Sequence, residues 1–220
     1  MLQLQKISKI YWKYGQRIIA LPPVDLTVGQ GEFIAVQGAS GSGKTTLLLI
    51  AGGLLHPDSG HVLAQGKDLY HMEGGDRARW RSRTIGFVFQ QYHLLPYLSV
   101  LDNVMVPQMA AEVDGLQQRA VDLIHHFGLA LRQSHLPSEL SAGEKQRVAL
   151  ARALLLKPEI ILADEITGNL DAHNAGIVLR SLHEFVEQGG SVVLATHDAG
   201  AAAQAHRILS LSMDNMIGIE

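Results

Sequence analysis

The chain has 220 residues, 47% apolar and 18% charged, which is enough to bury a core in one or two domains and rules out a disordered chain. A net charge of −3 offers no basis for non-specific nucleic-acid binding, and the lack of cysteine excludes disulfides and zinc–thiolate centres. No apolar run approaches the ~18 residues of a membrane helix, and the first ten residues lack the pattern of a signal peptide, so a cytosolic protein is expected.

Residues 2–10 alternate loosely and predict an edge strand; Tyr11, Trp12 and Tyr14 follow as an aromatic cluster. Pro22-Pro23 and Gly29-Gln30-Gly31 punctuate two further short strands. Phe33 to Val36 is a short β-prone run. It leads into Gly38-Ala39-Ser40-Gly41-Ser42-Gly43-Lys44-Thr45-Thr46, and Leu47 to Ala51 continue as a helix that ends at Gly52-Gly53. Gly38, four residues, then Gly43-Lys44-Thr45 is the spacing of a phosphate-binding loop, here in the strand–loop–helix context it needs. Glycines and small residues let the backbone N–H groups turn inward, and with the helix N-terminus they form a nest for phosphate oxygens. Lys44 adds a charge near the β- and γ-phosphates, and the Thr45 hydroxyl is suited to a Mg²⁺ shell.

Beyond this helix, His56 to Gly60 is a turn, His61 to Ala64 a strand, and Gly66-Lys67-Asp68 another turn. Arg77, Arg79, Arg81 and Arg83 alternate and cannot share one helical face, which predicts a solvated surface. Ile85 to Phe89 is a buried strand that ends at Gln90. Ser99 to Asp102 starts a helix in capping-box fashion, and residues 114–128 have helical spacing that Gly128 ends. Residues 90–140 thus read as a helical subdomain inserted in an α/β core. Leu140-Ser141-Ala142-Gly143-Glu144 opens the next helix, which stops before Pro158. Ile160 to Ala163 is a buried strand ending in Asp164-Glu165, Asp171 caps a long helix, and Ser191 to Ala195 is a strand ending in Thr196-His197-Asp198. Ile208 to Leu211 and Met216 to Ile219 predict a terminal hairpin, with no regulatory extension after it.

Four strands therefore run into polar residues: Gly38, Gln90, Asp164 with Glu165, and His197. In an open parallel sheet, ligands bind at such carboxyl ends. Asp164 after four apolar residues has the Walker B pattern of a carboxylate held for Mg²⁺; Glu165 is placed to activate a water. His197 reads either as a satisfied core histidine or as a contact to the γ-phosphate, and Gln90 as a bridge between metal and water.

Leu140 to Leu154, together with the two Walker motifs, resembles the signature motif and following helix of ABC-type ATPases, and the likeness covers essentially the whole chain. Ile85 to Gln91, Leu101 to Val104 and Thr167 to Asp171 resemble the subgroup that powers lipoprotein release, macrolide efflux, peptide resistance and the cell-division complex. The resemblance implies an α/β P-loop fold with a mostly parallel sheet, an N-terminal antiparallel region and a helical subdomain. It also implies one domain over 1–220, with 1–89 and 157–220 as the ATP-binding core and about 90–156 as the helical part. It assigns Tyr11 to adenine stacking, with Trp12 and Tyr14 as rivals. It assigns Gly38 to Thr46 to the phosphates, with Lys44 also catalytic, and Gln90 to the Q-loop. Asp164, Thr45 and Gln90 go to Mg²⁺, Glu165 to the catalytic base, Asp171 to the D-loop and His197 to the switch. Ser141 and Gly143 would meet ATP bound by the opposite subunit.

The resemblance further implies ATP hydrolysis in a head-to-tail homodimer. The dimer would drive integral membrane permease subunits at the cytoplasmic face of the inner membrane, without nucleic acid. Gln90 to Val106 would dock the permease, through Tyr92, Leu94, Leu95 and Leu98 unless these belong to the subdomain core. Ala142 stands where the family has glycine and Ile166 where the subgroup has proline; both departures are expected to be mild. Three other readings compete. A regulatory membrane ATPase shares every motif. A soluble repair or translation ATPase would need a coiled-coil insertion or a second cassette. A P-loop kinase or GTPase would leave Leu140 to Leu154 without a role.

Overall fold

The computed structural model describes residues 2–110 and 113–212. Its centre is a five-stranded sheet built from β3 (Phe33–Gln37), β6 (Ile85–Val88), β7 (Ile160–Asp164), β8 (Ser191–Thr196) and β9 (Arg207–Ser210). The order is β6-β7-β8-β3-β9, and every neighbouring pair is parallel. β7 and β8 are buried along their whole length, which is why they read as unbroken apolar runs.

Alternate residues of these strands feed two cores. Phe33, Ile161, Ala163, Val192 and Leu194 face one, with Val88. Ile34, Val36, Ile160, Leu162, Val193 and Ala195 face the other, with Ile85. The first core is closed by α3 (Val100–Met105), α4 (Leu116–His126), α5 (Ala142–Leu154) and α6 (Ala172–Glu187). The second is closed by α1 (Lys44–Ala51) and by a four-stranded antiparallel sheet, β2-β1-β4-β5, of β1 (Leu2–Lys13), β2 (Gln16–Val28), β4 (Ser59–Ala64) and β5 (Lys67–Asp68). The molecule is thus layered, with the parallel sheet in the middle. Among the described residues the two remaining α-helices are α2 (Gly74–Thr84) and α7 (Ala199–Ala202).

Several local expectations need correction. β1 is an inner strand, paired on both sides. Its register shifts between Leu4 and Ile7, where Lys6 has φ 47°, so Leu2, Leu4 and Ile7 all turn inward. Residues 16–28 form one strand through both prolines, tolerated because β2 is the sheet edge and lies beside the register shifts. Arg77 and Arg81 donate to the carbonyls of Met72 and Gly53, so only Arg79 and Arg83 are fully on the solvated side. The first arm of the expected hairpin is β9, a parallel strand beside β3; the second arm, Met216 to Ile219, lies outside the described residues. Among the described residues no helix is long and apolar enough to cross a membrane.

Candidate functional site

The parallel order brings the carboxyl ends of β3, β6, β7 and β8 side by side, and with them Gly38, Gln90, Asp164, Glu165 and His197. A cavity of about 370 Å³ opens there, lined by Ser40, Gly41, Gly43, Lys44, Thr45, Thr46, Gln90, Asp164 and Glu165. Gly43 caps α1 with φ 91°, and a Cβ there would sit 2.5 Å from the Ala20 carbonyl oxygen. Only glycine fits that left-handed turn under β2. Ser42 is buried, and its Oγ has no hydrogen-bond partner among the described residues.

Lys44 is almost fully buried. Its Nζ donates to the carbonyls of Gly38 (2.9 Å) and Ala39 (3.0 Å) and lies 3.1 Å from Oε1 of Glu165. The other Glu165 oxygen is 3.3 Å from Nδ1 of His197. Glu165 itself is left-handed, φ 48°, a conformation that costs a non-glycine residue roughly 1–2 kcal/mol. Its N–H donates to the Ala195 carbonyl (2.9 Å), which pins the turn after β7 to β8. Burial alone would raise the Glu165 carboxyl, but the hydrogen bond and charge of Lys44, with His197, outweigh it, and the group stays below the usual range.

Asp164 behaves oppositely. Burial pushes its carboxyl up, against a lowering hydrogen bond from Thr45 Oγ1 to Oδ2 at 2.7 Å. Oδ1 is buried with no hydrogen-bond partner among the described residues. A buried carboxylate with one orphaned oxygen is costly by itself. A divalent cation shared with the exposed Thr45 and Gln90 would satisfy it, so these residues fit the metal they were expected to bind.

Gly38, Ala39, Ser42 and His197 adjoin this cavity without lining it, whereas Tyr11, Ser141, Gly143 and Asp171 lie apart from it. Tyr11 is 46% exposed on β1 opposite Ile18; Trp12 and Tyr14 are more exposed still, toward the β1–β2 turn. Ser141, Gly143 and Asp171 gather at a second place, the N-termini of α5 and α6. Ser141 caps α5 in a reciprocal box with Glu144 and is exposed. Asp171 caps α6, and its two oxygens accept from the N–H and side-chain amide of Asn174, both at 2.8 Å. Asn174 Oδ1 accepts from Arg147 (2.6 Å), and the Asn174 side chain packs on Gly143. In the segment after Gln90, Tyr92 and Leu94 pack on the helical core, while Leu95 and Tyr97 are exposed.

Sequence reasoning missed Ile18, Ile19 and Ala20, which line the cavity from β2. No local signal marks them, since they arrive by the folding of a distant hairpin over the loop. It also missed Asn174 and Arg147, and Asn103. Asn103 is fully buried, and its side chain bonds Leu95 N–H and the carbonyls of Leu95, Leu98 and Ser99. An asparagine at an inward-facing position of a helix was the available clue.

Comparison with known proteins places this geometry. Residues 21–168 match the family model described as ABC transporter. The chain is 44% identical over 214 residues to the lipoprotein-releasing system ATP-binding protein LolD of Shewanella sp. (strain MR-4), covering 96% of this chain and 93% of that one. It is 41% identical over 220 residues to the macrolide export ATP-binding/permease protein MacB of Burkholderia pseudomallei (strain 1710b), covering 99% of this chain but 34% of that one. The chain thus spans about a third of the MacB relatives' length. Among solved structures, the dimeric MJ0796, a bacterial ABC transporter cassette, superposes with a TM-score of 0.91 at 36% identity, covering 100% of this chain and 97% of its own. A post-hydrolysis state of the same cassette bound to ADP and Pi gives 0.90.

Proposed function

The chain belongs to the ABC transporter family, and we propose that it is the ATP-hydrolysing subunit of a membrane complex, working as a two-fold dimer. One observation carries the reading. The cavity lined by Lys44, Thr45, Gln90, Asp164 and Glu165 contains neither Ser141 nor Gly143, which stand exposed or packed at the start of α5 elsewhere on the same chain. Each chain then holds two complementary halves, and a head-to-tail pair completes two sites.

In this reading the 38–46 loop and the α1 N-terminus receive the ATP phosphates, and Lys44 moves from the loop carbonyls and Glu165 to the β- and γ-phosphates. Thr45, Gln90 and Asp164 would hold Mg²⁺, which would neutralise phosphate charge. Glu165 accepts a proton from the attacking water and His197 orients it. Tyr11 stacks on the base. From the partner, Ser141, Gly143 and the positive end of α5 meet the γ-phosphate, with Asp171 beside them. Residues 1–89 and 157–220 act as the ATP-binding core, and about 90–156 pass dimer closure to permease subunits through the exposed Leu95–Tyr97 segment. In this reading the chain sits on the cytoplasmic face of the inner membrane. The named systems of the relatives, lipoprotein release and macrolide export, supply the class of cargo.

The test is tagged Glu165→Gln protein, purified in mild detergent from its own cells with ATP. Hydrolysis falls by about 10²-fold or more, a dimer accumulates, and a membrane-spanning permease co-purifies. Recovery of ribosomes, DNA or soluble proteins alone would overturn the transport reading. An unchanged hydrolysis rate would overturn the role of Glu165.

A further inference from the structure

At the edge of the antiparallel sheet opposite β2, three side chains from one hairpin converge. His61 lies on β4, Asp68 ends β5, and His71 follows in a turn whose N–H is 3.3 Å from the Asp68 carbonyl. Leu63 pairs with Asp68, so His61, two residues earlier on β4, projects from the same face as Leu63. Nδ1 of His61 is 2.7 Å, and Nδ1 of His71 3.0 Å, from one oxygen of Asp68, Oδ2. The imidazoles are nearly parallel, 19° apart, with centroids separated by 6.1 Å. The three ligating atoms lie within 4.8 Å of one another. The other carboxylate oxygen, Oδ1, accepts from the Tyr70 N–H (2.9 Å), which orients the carboxylate and leaves Oδ2 to the two rings.

We propose that His61, Asp68 and His71 form a surface site for a divalent transition-metal ion of the zinc type, separate from the nucleotide site. Two neutral imidazoles and one carboxylate are a nitrogen-rich donor set, which favours Zn²⁺, Ni²⁺ or Cu²⁺ over Mg²⁺ and Ca²⁺. The Asp68 side chain is 13% exposed and held in place; the rings are 58% and 78% exposed and free to open by the few tenths of an ångström that bonds of ~2.0–2.2 Å require. Water completes the shell. The bound ion ties β5, only two residues long, to the turn that leads into α2, closing an edge strand that otherwise has one neighbour. The nucleotide reading leaves all three residues without a role.

Calorimetric titration of the nucleotide-free full chain with Zn²⁺ tests this. Asp164, Glu165 and His197 are the rival ligands, so His197→Gln is compared with His61→Gln/His71→Gln and with Asp68→Asn, which keeps an acceptor for the Tyr70 N–H. Wild type and His197→Gln each bind one tight equivalent, while the double variant and Asp68→Asn weaken it more than about tenfold. Zn²⁺ raises the melting temperature of wild type and not of the double variant. A tight site that survives in the double variant, or is lost in His197→Gln, overturns the assignment. So does a wild-type affinity weaker than about 100 μM.

Discussion

Asp164 and Glu165 are neighbours with opposite electrostatic environments. Burial raises the first and leaves one of its oxygens unpaired, which suits a group waiting for a cation. The second is kept ionised by Lys44 and His197 despite its burial, which suits a proton acceptor. The two departures from the family pattern are also decided at single residues. Ala142 is exposed, whereas a Cβ on Gly143 would run into the Asn174 side chain. Gly143→Ala is therefore expected to destabilise by about 1–3 kcal/mol and to slow hydrolysis. Ala142→Gly should change stability by less than about 1 kcal/mol and turnover by no more than about twofold. Thermal unfolding and phosphate release on both variants check this; equal effects would remove the Asn174 argument. Ile166 is buried in the helical core, and its N–H has no protein acceptor among the described residues, so a proline there would remove no hydrogen bond.

The element that would organise the proposed second half-site is α5. Ser141 and Glu144 close its first turn reciprocally: Ser141 N–H donates to Glu144 (2.8 Å) and Glu144 N–H to Ser141 (3.3 Å), while Arg132 adds an ion pair at 3.0 Å. The backbone hydrogen bond from Ser141, helped by Arg132, lowers the Glu144 carboxyl to about 2 against its burial. A depressed carboxyl contributes stability that is fully present above its unfolded value of 4.5 and is lost as pH falls through about 2. Glu144→Gln should thus cost ~1–2 kcal/mol at neutral pH. The gap to wild type should stay constant down to about pH 5 and close between pH 4.5 and 2. Urea unfolding across that range reads it, and a gap independent of pH would sink the assignment. Further along α5, Arg152 donates to the carbonyls of Tyr92 and His93, both at 2.6 Å. Those two residues are left-handed, φ 59° and 46°, so α5 directly holds the strained segment after Gln90. Asn103 then fixes the carbonyls of Leu95, Leu98 and Ser99, while Leu95 and Tyr97 stand exposed.

In the whole molecule, neither Ser141 nor Gly143 at the start of α5 lines the Lys44 cavity, so the proposed dimer would complete each site in trans. This makes a complementation experiment decisive. Lys44→Ala lacks a working phosphate loop and Ser141→Arg lacks a working signature, so each alone should be inactive. In an equal mixture half of the dimers are mixed, and each mixed dimer has one intact composite site. Activity should then return to as much as about a quarter of wild type. A mixture no more active than its parts would refute the composite site.

Much of this protein was legible in its residues. The 38–46 loop, the buried runs at 33–36, 160–163 and 191–195, and the caps Ser99, Ser141 and Asp171 are local features, set by neighbours a few positions away. Strand, helix and turn preferences act at that range, so their meaning survives without a fold. Tertiary structure alone decided the order β6-β7-β8-β3-β9, because parallel pairing joins residues as distant in sequence as Ile85 and Ile160 or Ile34 and Arg207, and no periodicity encodes a partner. It alone brought Ile18 to Ala20 over the phosphate loop and set Asn174 against Gly143. It made the loosely alternating N-terminus an inner strand by pairing it with both β2 and β4, and it gathered His61, Asp68 and His71 close together. Chemistry carried by one loop is written in sequence. Chemistry shared between elements exists only once packing has chosen which elements meet.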